Sequence, residues 1–329
     1  MRMLVVGCGS IGERHIRNLR TLSVGEIIAC DVDRSRLSEI AKKYRVQTCA
    51  DLPRALSQDI DAALVCTPPN THIPIALKVI EHGAHVFIEK PLSNSLKGAD
   101  EFIKRAKNKK LIVFVGYNFR FHPGLMLVKK MLDRGEVGKI LSARAEVGQY
   151  LPDWRPWQDY RQSYTARKEL GGGIILDGSH ELDYMRWLLG EVKEVSCFAG
   201  KLSHLEVDVE DTAEVLLKFR SGAIANAHLD FIRRDYSRNC ELIGEKGTIV
   251  WGYPERLVKV YSAHNKRWRV IKIGGDPNDM YVEEMKRFLR CVQGKEKPLV
   301  SGEEGKRTLE IALAAKRSAK TGKTVRLGG

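Results

Sequence analysis

Residues Met3-Leu4-Val5-Val6-Gly7-Cys8-Gly9-Ser10-Ile11-Gly12-Glu13-Arg14-His15 decide the fold. An apolar run breaks into a glycine-spaced turn, and the turn passes into a helical pattern, which predicts strand, turn and helix start. Gly7 permits the tight turn, Gly9 keeps no side chain between a pyrophosphate and the backbone, and Gly12 lets helix and strand pack closely. Ser10 and Ile11 open the helix, where free N–H groups and the positive end of the helix dipole favour phosphate. Asp31 lies nineteen residues beyond Gly12, at the end of a second apolar run, Glu26 to Cys30. A carboxylate there accepts hydrogen bonds from an adenosine ribose, so the stretch predicts a dinucleotide site.

Working outward, residues 1 to about 120 alternate short apolar runs with helical patterns. Strands are predicted near 3–7, 26–30, 62–66, 85–88 and 111–115, and helices near 11–22, 34–44, 52–57, 72–82 and 95–108. Right-handed crossovers make that order a doubly wound parallel sheet with ligands at the carboxyl ends of its strands. Those ends carry Thr67, Pro68, Asn70 and His72, then Glu89 and Lys90, then Asn118 and Arg120. The first six, with Gly7, Gly9, Ser10, Ile11, Gly12 and Asp31, are the expected cofactor ligands; Asn118 and Arg120 are expected to meet substrate.

The second half loses the alternation. A helix near 123–134 is followed by predicted strands at 139–151, 193–202, 211–220, 222–234, 238–252, 256–263 and 267–274, with closing helices near 278–293 and 302–320. The fold class expected is α/β, an N-terminal Rossmann domain over 1–121 and a C-terminal α+β domain over 122–329 with a large open antiparallel sheet. The last helices are expected to pack back on the first domain. A single sheet with helices on one face leaves the other face needing cover, which predicts a homodimer or homotetramer formed through that sheet.

Composition bounds the function. The 329 residues are 43% hydrophobic and 29% charged, with no apolar run of membrane-spanning length. The first strand begins at the N-terminus, so no leader peptide is expected. Seven cysteines without a C-x-x-C pair read as reduced thiols in a cytoplasmic protein. The net charge of +14 raises nucleic acid as a partner, but the basic residues are scattered among acids and no DNA-binding motif accompanies them. A solvated basic surface and a small-molecule substrate are expected instead.

Lys90 ends a strand just before Pro91, where its ammonium can hydrogen-bond a substrate oxygen. The segment from Gly171 to Gly190 reads as one amphipathic helix that places Asp177, His180 and Tyr184 on one face. A carboxylate beside an imidazole fixes its tautomer, as a general base for an alcohol proton requires. His180 and Asp183 have no third ligand at metal-binding spacing, so no metal is expected. The loop from Leu151 to Tyr164 supplies further candidates for substrate: Trp154 with Arg155, or Tyr160 with Arg161, and Tyr164. Asp31 favours NAD, while Arg34 and Arg36 leave NADP open.

Taken together, Gly7 to Gly12, Thr67 to His72, Glu89-Lys90-Pro91, Asn118 to Phe121 and Gly171 to Asp183 resemble the Gfo/Idh/MocA family, the glucose-fructose oxidoreductase and inositol dehydrogenase group. The similarity runs over nearly the whole chain. It implies NAD(P)-linked oxidation or reduction of a sugar, nucleotide sugar or cyclitol, with Lys90 as the catalytic lysine, His180 as the acid/base and Pro91 as an often cis residue that aims Lys90. Many members place the aspartate four residues before the histidine; Asp177 precedes His180 by three, and Leu176 takes the usual place. Asp177 is therefore expected as a supporting residue. Relatives also include cofactor-binding regulators and enzymes that use NAD as a transient oxidant, which stand as the alternatives.

Overall fold

In the computed structural model, which describes residues 1–328, the apolar runs of the first third become one parallel sheet. Its strands are β1 (Arg2–Val6), β2 (Glu26–Cys30), β3 (Gln47–Cys49), β4 (Ala62–Val65), β5 (His85–Glu89) and β6 (Val113–Gly116), in the order β3-β2-β1-β4-β5-β6. The order reverses beside β1, the switch point at which doubly wound sheets bind ligands. Helices α1 (Ser10–Thr21), α2 (Arg34–Tyr44), α3 (Leu52–Leu56), α4 (His72–Glu81) and α5 (Ala99–Asn108) make the crossovers. The Asp33 carboxylate caps α2 by accepting from the N–H groups of Ser35 and Arg36. The sequence reading passes over β3, a short polar edge strand with no apolar run to mark it. It also starts α5 too early, because Gly98, at φ 77°, stands at the N-cap.

Packing divides the chain into two compact units, residues 1–118 with 278–307, and residues 119–277 with 308 onward. The later segment joins the first unit through an aromatic cluster. Phe288, on the helix Asp279–Val292, sits edge-on to Phe87 at 5.5 Å and to Phe114 at 5.9 Å, and the latter two stack at 5.6 Å. All three rings are fully buried.

The second unit is built on β7 (Ile140–Gly148), β8 (Val192–Gly200), β9 (Thr212–Phe219), β10 (Ile224–Asp230), β11 (Ser237–Gly244), β12 (Gly247–Gly252), β13 (Leu257–Ser262), β14 (Arg267–Lys272) and β15 (Val325–Arg326). They order as β14-β13-β12-β11-β7-β10-β9-β8-β15. The large sheet is antiparallel as expected except where β10 runs parallel to β7, which makes it mixed. The stretch 238–252 is a hairpin and not one strand: β11 and β12 pair antiparallel about Glu245-Lys246, with Gly244 opposite Gly247. Period-2 alternation sends Ala213, Val215, Leu217 and Phe219 of β9 inward and Glu214, Leu216 and Lys218 outward. The inward face carries α6 (Pro123–Asp133) and, past the single turn α7 (Leu151–Trp154), the helices α8 (Ile174–Asp177) and α9 (Ser179–Leu189).

The expected single helix over 171–190 is thus two. The break falls at Gly178, where a Cβ would stand 2.8 Å from Ile174 O. Nor is α9 amphipathic: Ser179 to Arg186, Leu188 and Leu189 are all buried. No helix among the described residues is long and apolar enough to cross a membrane.

Candidate active site

In the first unit the carboxyl ends of β1, β2, β4, β5 and β6 share one edge of the sheet, because every neighbouring pair is parallel. The glycine turn lies at that edge. Gly7, at φ 88°, donates its N–H to Cys30 O at 2.8 Å, and a Cβ on it would meet Cys66 C at 2.8 Å. A Cβ on Gly12 would lie 1.9 Å from Gly7 O, whereas one on Gly9 would meet nothing within 4 Å. Gly12 closes the turn on itself, Gly7 lets it lie against the chain after β4, and Gly9 leaves the backbone uncovered. With α1 starting at Ser10 and Ile11, this is the concave, donor-rich cradle that a pyrophosphate requires.

Asp31 is fixed beside the cradle. Its Oδ2 accepts from Cys8 N at 2.7 Å and from Arg36 Nη1 at 3.0 Å, and its Oδ1 accepts from Asp33 N at 2.9 Å. Arg36 is therefore drawn onto the carboxylate, while Arg34 stays exposed. After β4, Thr71 Oγ1 lies 2.7 Å from Thr67 Oγ1 and 2.8 Å from Pro68 O, closing the 3-10 turn that presents Asn70.

Two expected cofactor ligands are redirected by burial. His72 is 1% exposed, with Nε2 at 2.7 Å from Thr67 O and Nδ1 at 2.9 Å from Pro91 O, so its ring ties the end of β4 to the Lys90-Pro91 segment instead of facing a ligand. Burial pushes its pKa down, against the two carbonyl contacts, which raise it. Glu89 gives one carboxylate oxygen to His15 Nε2 at 2.6 Å and the other to Lys90 N at 3.1 Å. The Lys90-Pro91 peptide is cis. His15 escaped the sequence reading; its only signal there was a polar residue on the inward face of α1, one turn past Gly12.

In the second unit His180 stands edge-on to Phe119, with ring centroids 5.0 Å apart, and the Arg238 guanidinium covers the Phe119 ring at 4.3 Å. Glu181 holds Arg238, Nε to Oε1 at 2.9 Å. Asp177 lies on α8 and accepts from Tyr164 Oη at 2.8 Å, so two residues expected in the site do meet. Tyr184 does not join them. It packs against Trp251 at 5.8 Å in the core, where burial drives its hydroxyl pKa upward.

Arg120, expected to meet substrate, is instead buried at 1% exposure and bound at two points by Asp183. Arg161 is likewise taken from that role. It is exposed and paired to Asp159 at 2.9 Å and to Glu206 at 3.3 Å. Trp154 donates Nε1–H to Gln149 O at 3.1 Å and sits edge-on to Phe231, with Arg155 half-buried beside it. Asn118 is 2% exposed at the end of the first unit's leading segment. Among the described residues no cluster of three or more His, Cys, Asp or Glu side chains is arranged for a metal.

A glycine cradle beside a fixed carboxylate on a doubly wound sheet, with a second sheet-based unit, defines the class of an NAD-linked oxidoreductase. Comparison with known proteins makes the class particular. Residues 1–117 match the oxidoreductase family with an NAD-binding Rossmann fold, and residues 125–250 match the GFO/IDH/MocA C-terminal domain. The chain is 33% identical to myo-inositol 2-dehydrogenase of Thermotoga maritima over 99% of this chain and 98% of that protein. It is 28% identical to scyllo-inositol 2-dehydrogenase (NAD(+)) of Bacillus subtilis, covering 99% and 96%. The crystal structure of GenD2 from gentamicin A biosynthesis in complex with NAD superposes with a TM-score of 0.88 at 25% identity, over 100% of this chain and 97% of that one. The chain belongs to the GFO/IDH/MocA family of oxidoreductases and is an NAD-dependent enzyme acting on CH–OH groups.

Proposed function

We propose that the enzyme interconverts a ring hydroxyl and its ketone on a cyclitol or sugar, with cyclitols of the inositol type as the first substrates to test. The observation that carries this reading is the end-to-end match to an inositol dehydrogenase, 33% identical over 99% of the chain. Gly7, Gly9, Ser10, Ile11, Gly12 and Asp31 would hold NAD, with Thr67, Pro68 and Asn70 alongside. Bound NAD supplies the hydride acceptor or donor. Lys90 offers its ammonium to the reacting oxygen and keeps its developing charge solvated by a fixed donor. His180 exchanges the hydroxyl proton, held at a fixed ring angle by Phe119. Asp177 and Tyr164 support that face, and Arg155 and Trp154 meet the substrate.

In the same reading the residues from 122 onward carry substrate binding and assembly. Phe198, Leu216 and Ile224 stand 81%, 50% and 58% exposed on the outward side of β8, β9 and β10, large apolar side chains among the charged Glu214 and Lys218 that suit a homodimer or homotetramer interface. Seven free thiols suit a cytoplasmic protein.

The test begins with thermal shift in NAD and NADP, then follows absorbance of the reduced nicotinamide across cyclitols, aldoses and nucleotide sugars. Turnover on an inositol, lost in both Lys90→Ala and His180→Ala, supports the proposal. Full turnover in either variant rejects the role given to that residue.

A further inference from the structure

We propose that His15 is a positioning residue, which holds Lys90 through the Glu89 carboxylate and so ties the reacting lysine to the helix that starts at the glycine cradle. The inference rests on the reading of Lys90 as the group that serves the reacting oxygen. His15 is fully buried in α1, and its Nε2 lies 2.6 Å from Glu89 Oε1. The other oxygen of that carboxylate accepts the Lys90 backbone N–H at 3.1 Å. Past Lys90, Pro91 O meets His72 Nδ1 at 2.9 Å. The backbone at Lys90 is thus gripped from both sides by buried imidazoles, one through a carboxylate and one directly.

Packing alone does not call for this arrangement. His15 sits edge-on to Phe87 at 5.2 Å, where an apolar side chain would spare the cost of desolvating an imidazole. A buried polar pair of this kind trades stability for a fixed orientation. Glu89 needs a second fixed donor, because a carboxylate held only by the next residue's N–H is free to swing about its own side-chain bonds. His15 supplies that donor from a separate element. Nε2 is the donor, since a carboxylate oxygen accepts, and Nδ1 has no hydrogen-bond partner among the described residues.

The test has a structural readout as well as a kinetic one. In the full chain without added ligand, exchange of the Lys90 amide hydrogen is followed by NMR for the parent, His15→Leu and His15→Gln. Glutamine places an N–H donor where Nε2 stands; leucine fills volume only. We expect exchange at Lys90 to quicken roughly tenfold or more in His15→Leu, the scale of one weakened charged hydrogen bond, and to return near the parent rate in His15→Gln. With NAD and myo-inositol as the kinetic probe, kcat falls roughly 10- to 100-fold in His15→Leu, while KM for NAD changes much less.

Equal Lys90 exchange in the parent and His15→Leu overturns the inference, even where Lys90→Ala abolishes turnover. Turnover that survives Lys90→Ala rejects the functional reading and leaves the exchange result to judge the anchoring on its own. If His15→Leu does not fold, His15→Gln and His15→Asn carry the comparison, since asparagine reaches only the Nδ1 position. Slow Lys90 exchange in the glutamine variant with fast exchange in the asparagine variant supports the anchor, and equal rates reject it.

Discussion

Arg120 and Asp183 are joined at two points, Nε to Oδ2 and Nη2 to Oδ1, each at 2.8 Å, with both side chains 1% exposed. Thr308 Oγ1 donates to Asp183 Oδ1 at 2.9 Å, so the carboxylate also fastens the part of the helix Gly302–Thr321 that belongs to the second unit. Removing one partner of such a pair strands the other charge in the interior. Asp183→Ala is expected to cost about 3–5 kcal/mol in denaturant unfolding. Thr308→Val, which removes one hydrogen bond to a charge, should cost about 1.5–3 kcal/mol. A loss below about 1 kcal/mol for Asp183→Ala, with substrate KM raised instead, would return Arg120 to the substrate site.

The glycine turn makes a prediction that separates folding from cofactor binding. A methyl at residue 12 runs into Gly7 O, a backbone atom with nowhere to move, whereas a methyl at residue 9 meets no atom within 4 Å. Gly12→Ala should lower the melting midpoint of the protein without ligand. Gly9→Ala should leave that midpoint in place and cancel the rise that NAD produces, because the methyl occupies the cradle. A full NAD-induced rise in Gly9→Ala would place the pyrophosphate elsewhere.

These two cases show what a sequence carries. The cradle was legible because its geometry is local: a strand, three glycines and a helix start within a few residues. The alternating elements of the first unit were legible for the same reason, and β3 was missed because three residues at a sheet edge, none of them buried, leave no pattern. Side-chain partners were not legible. Arg120 finds Asp183 63 residues along the chain, Arg161 finds Glu206 45 along, and His15 finds Glu89 74 along. Inward-facing periodicity identified none of these pairs. The parallel β7–β10 pairing was hidden too, since period-2 alternation fixes which face a residue takes but not which way its neighbour strand runs.

The outward face of the second sheet holds a titratable device. His228 places Nδ1 2.5 Å from Glu214 Oε1 and Nε2 3.0 Å from Asp230 Oδ2. The bond to Asp230 first, and then that to Glu214 with the charges of both, raise its pKa from 6.5 to about 9 against the opposing effect of burial. Because the folded value is the higher one, protonation stabilises the fold. That contribution is complete below about pH 6.5 and is lost as pH rises through about 9. The stability gap between the parent and His228→Gln, measured by denaturant unfolding, should therefore be widest at low pH and shrink across that window. A gap that stays constant with pH would mean that the imidazole contributes by packing alone.

Cofactor preference follows from Asp31 and Arg36. The carboxylate is fixed by Cys8 N and Asp33 N, and it engages Arg36 Nη1 at 3.0 Å, while Arg36 Nη2 lies 3.5 Å from Asp33 Oδ2. A ribose 2'-hydroxyl donates to such a carboxylate; a 2'-phosphate meets it as a like charge, and the Arg36 guanidinium is already engaged. The parent should therefore prefer NAD. Asp31→Ser removes the repulsion and releases Arg36, and the ratio of kcat/KM for NAD over NADP should fall roughly 10- to 100-fold, the worth of one charged hydrogen bond. Arg36→Ala on its own should keep the NAD preference, because Asp31 still repels phosphate. Added to Asp31→Ser, it should remove much of the gained NADP activity, since only a released guanidinium can bind the phosphate. Equal NADP activity in Asp31→Ser with and without Arg36 would show that repulsion alone sets the choice, and that the ion pair at 3.0 Å plays no part in it.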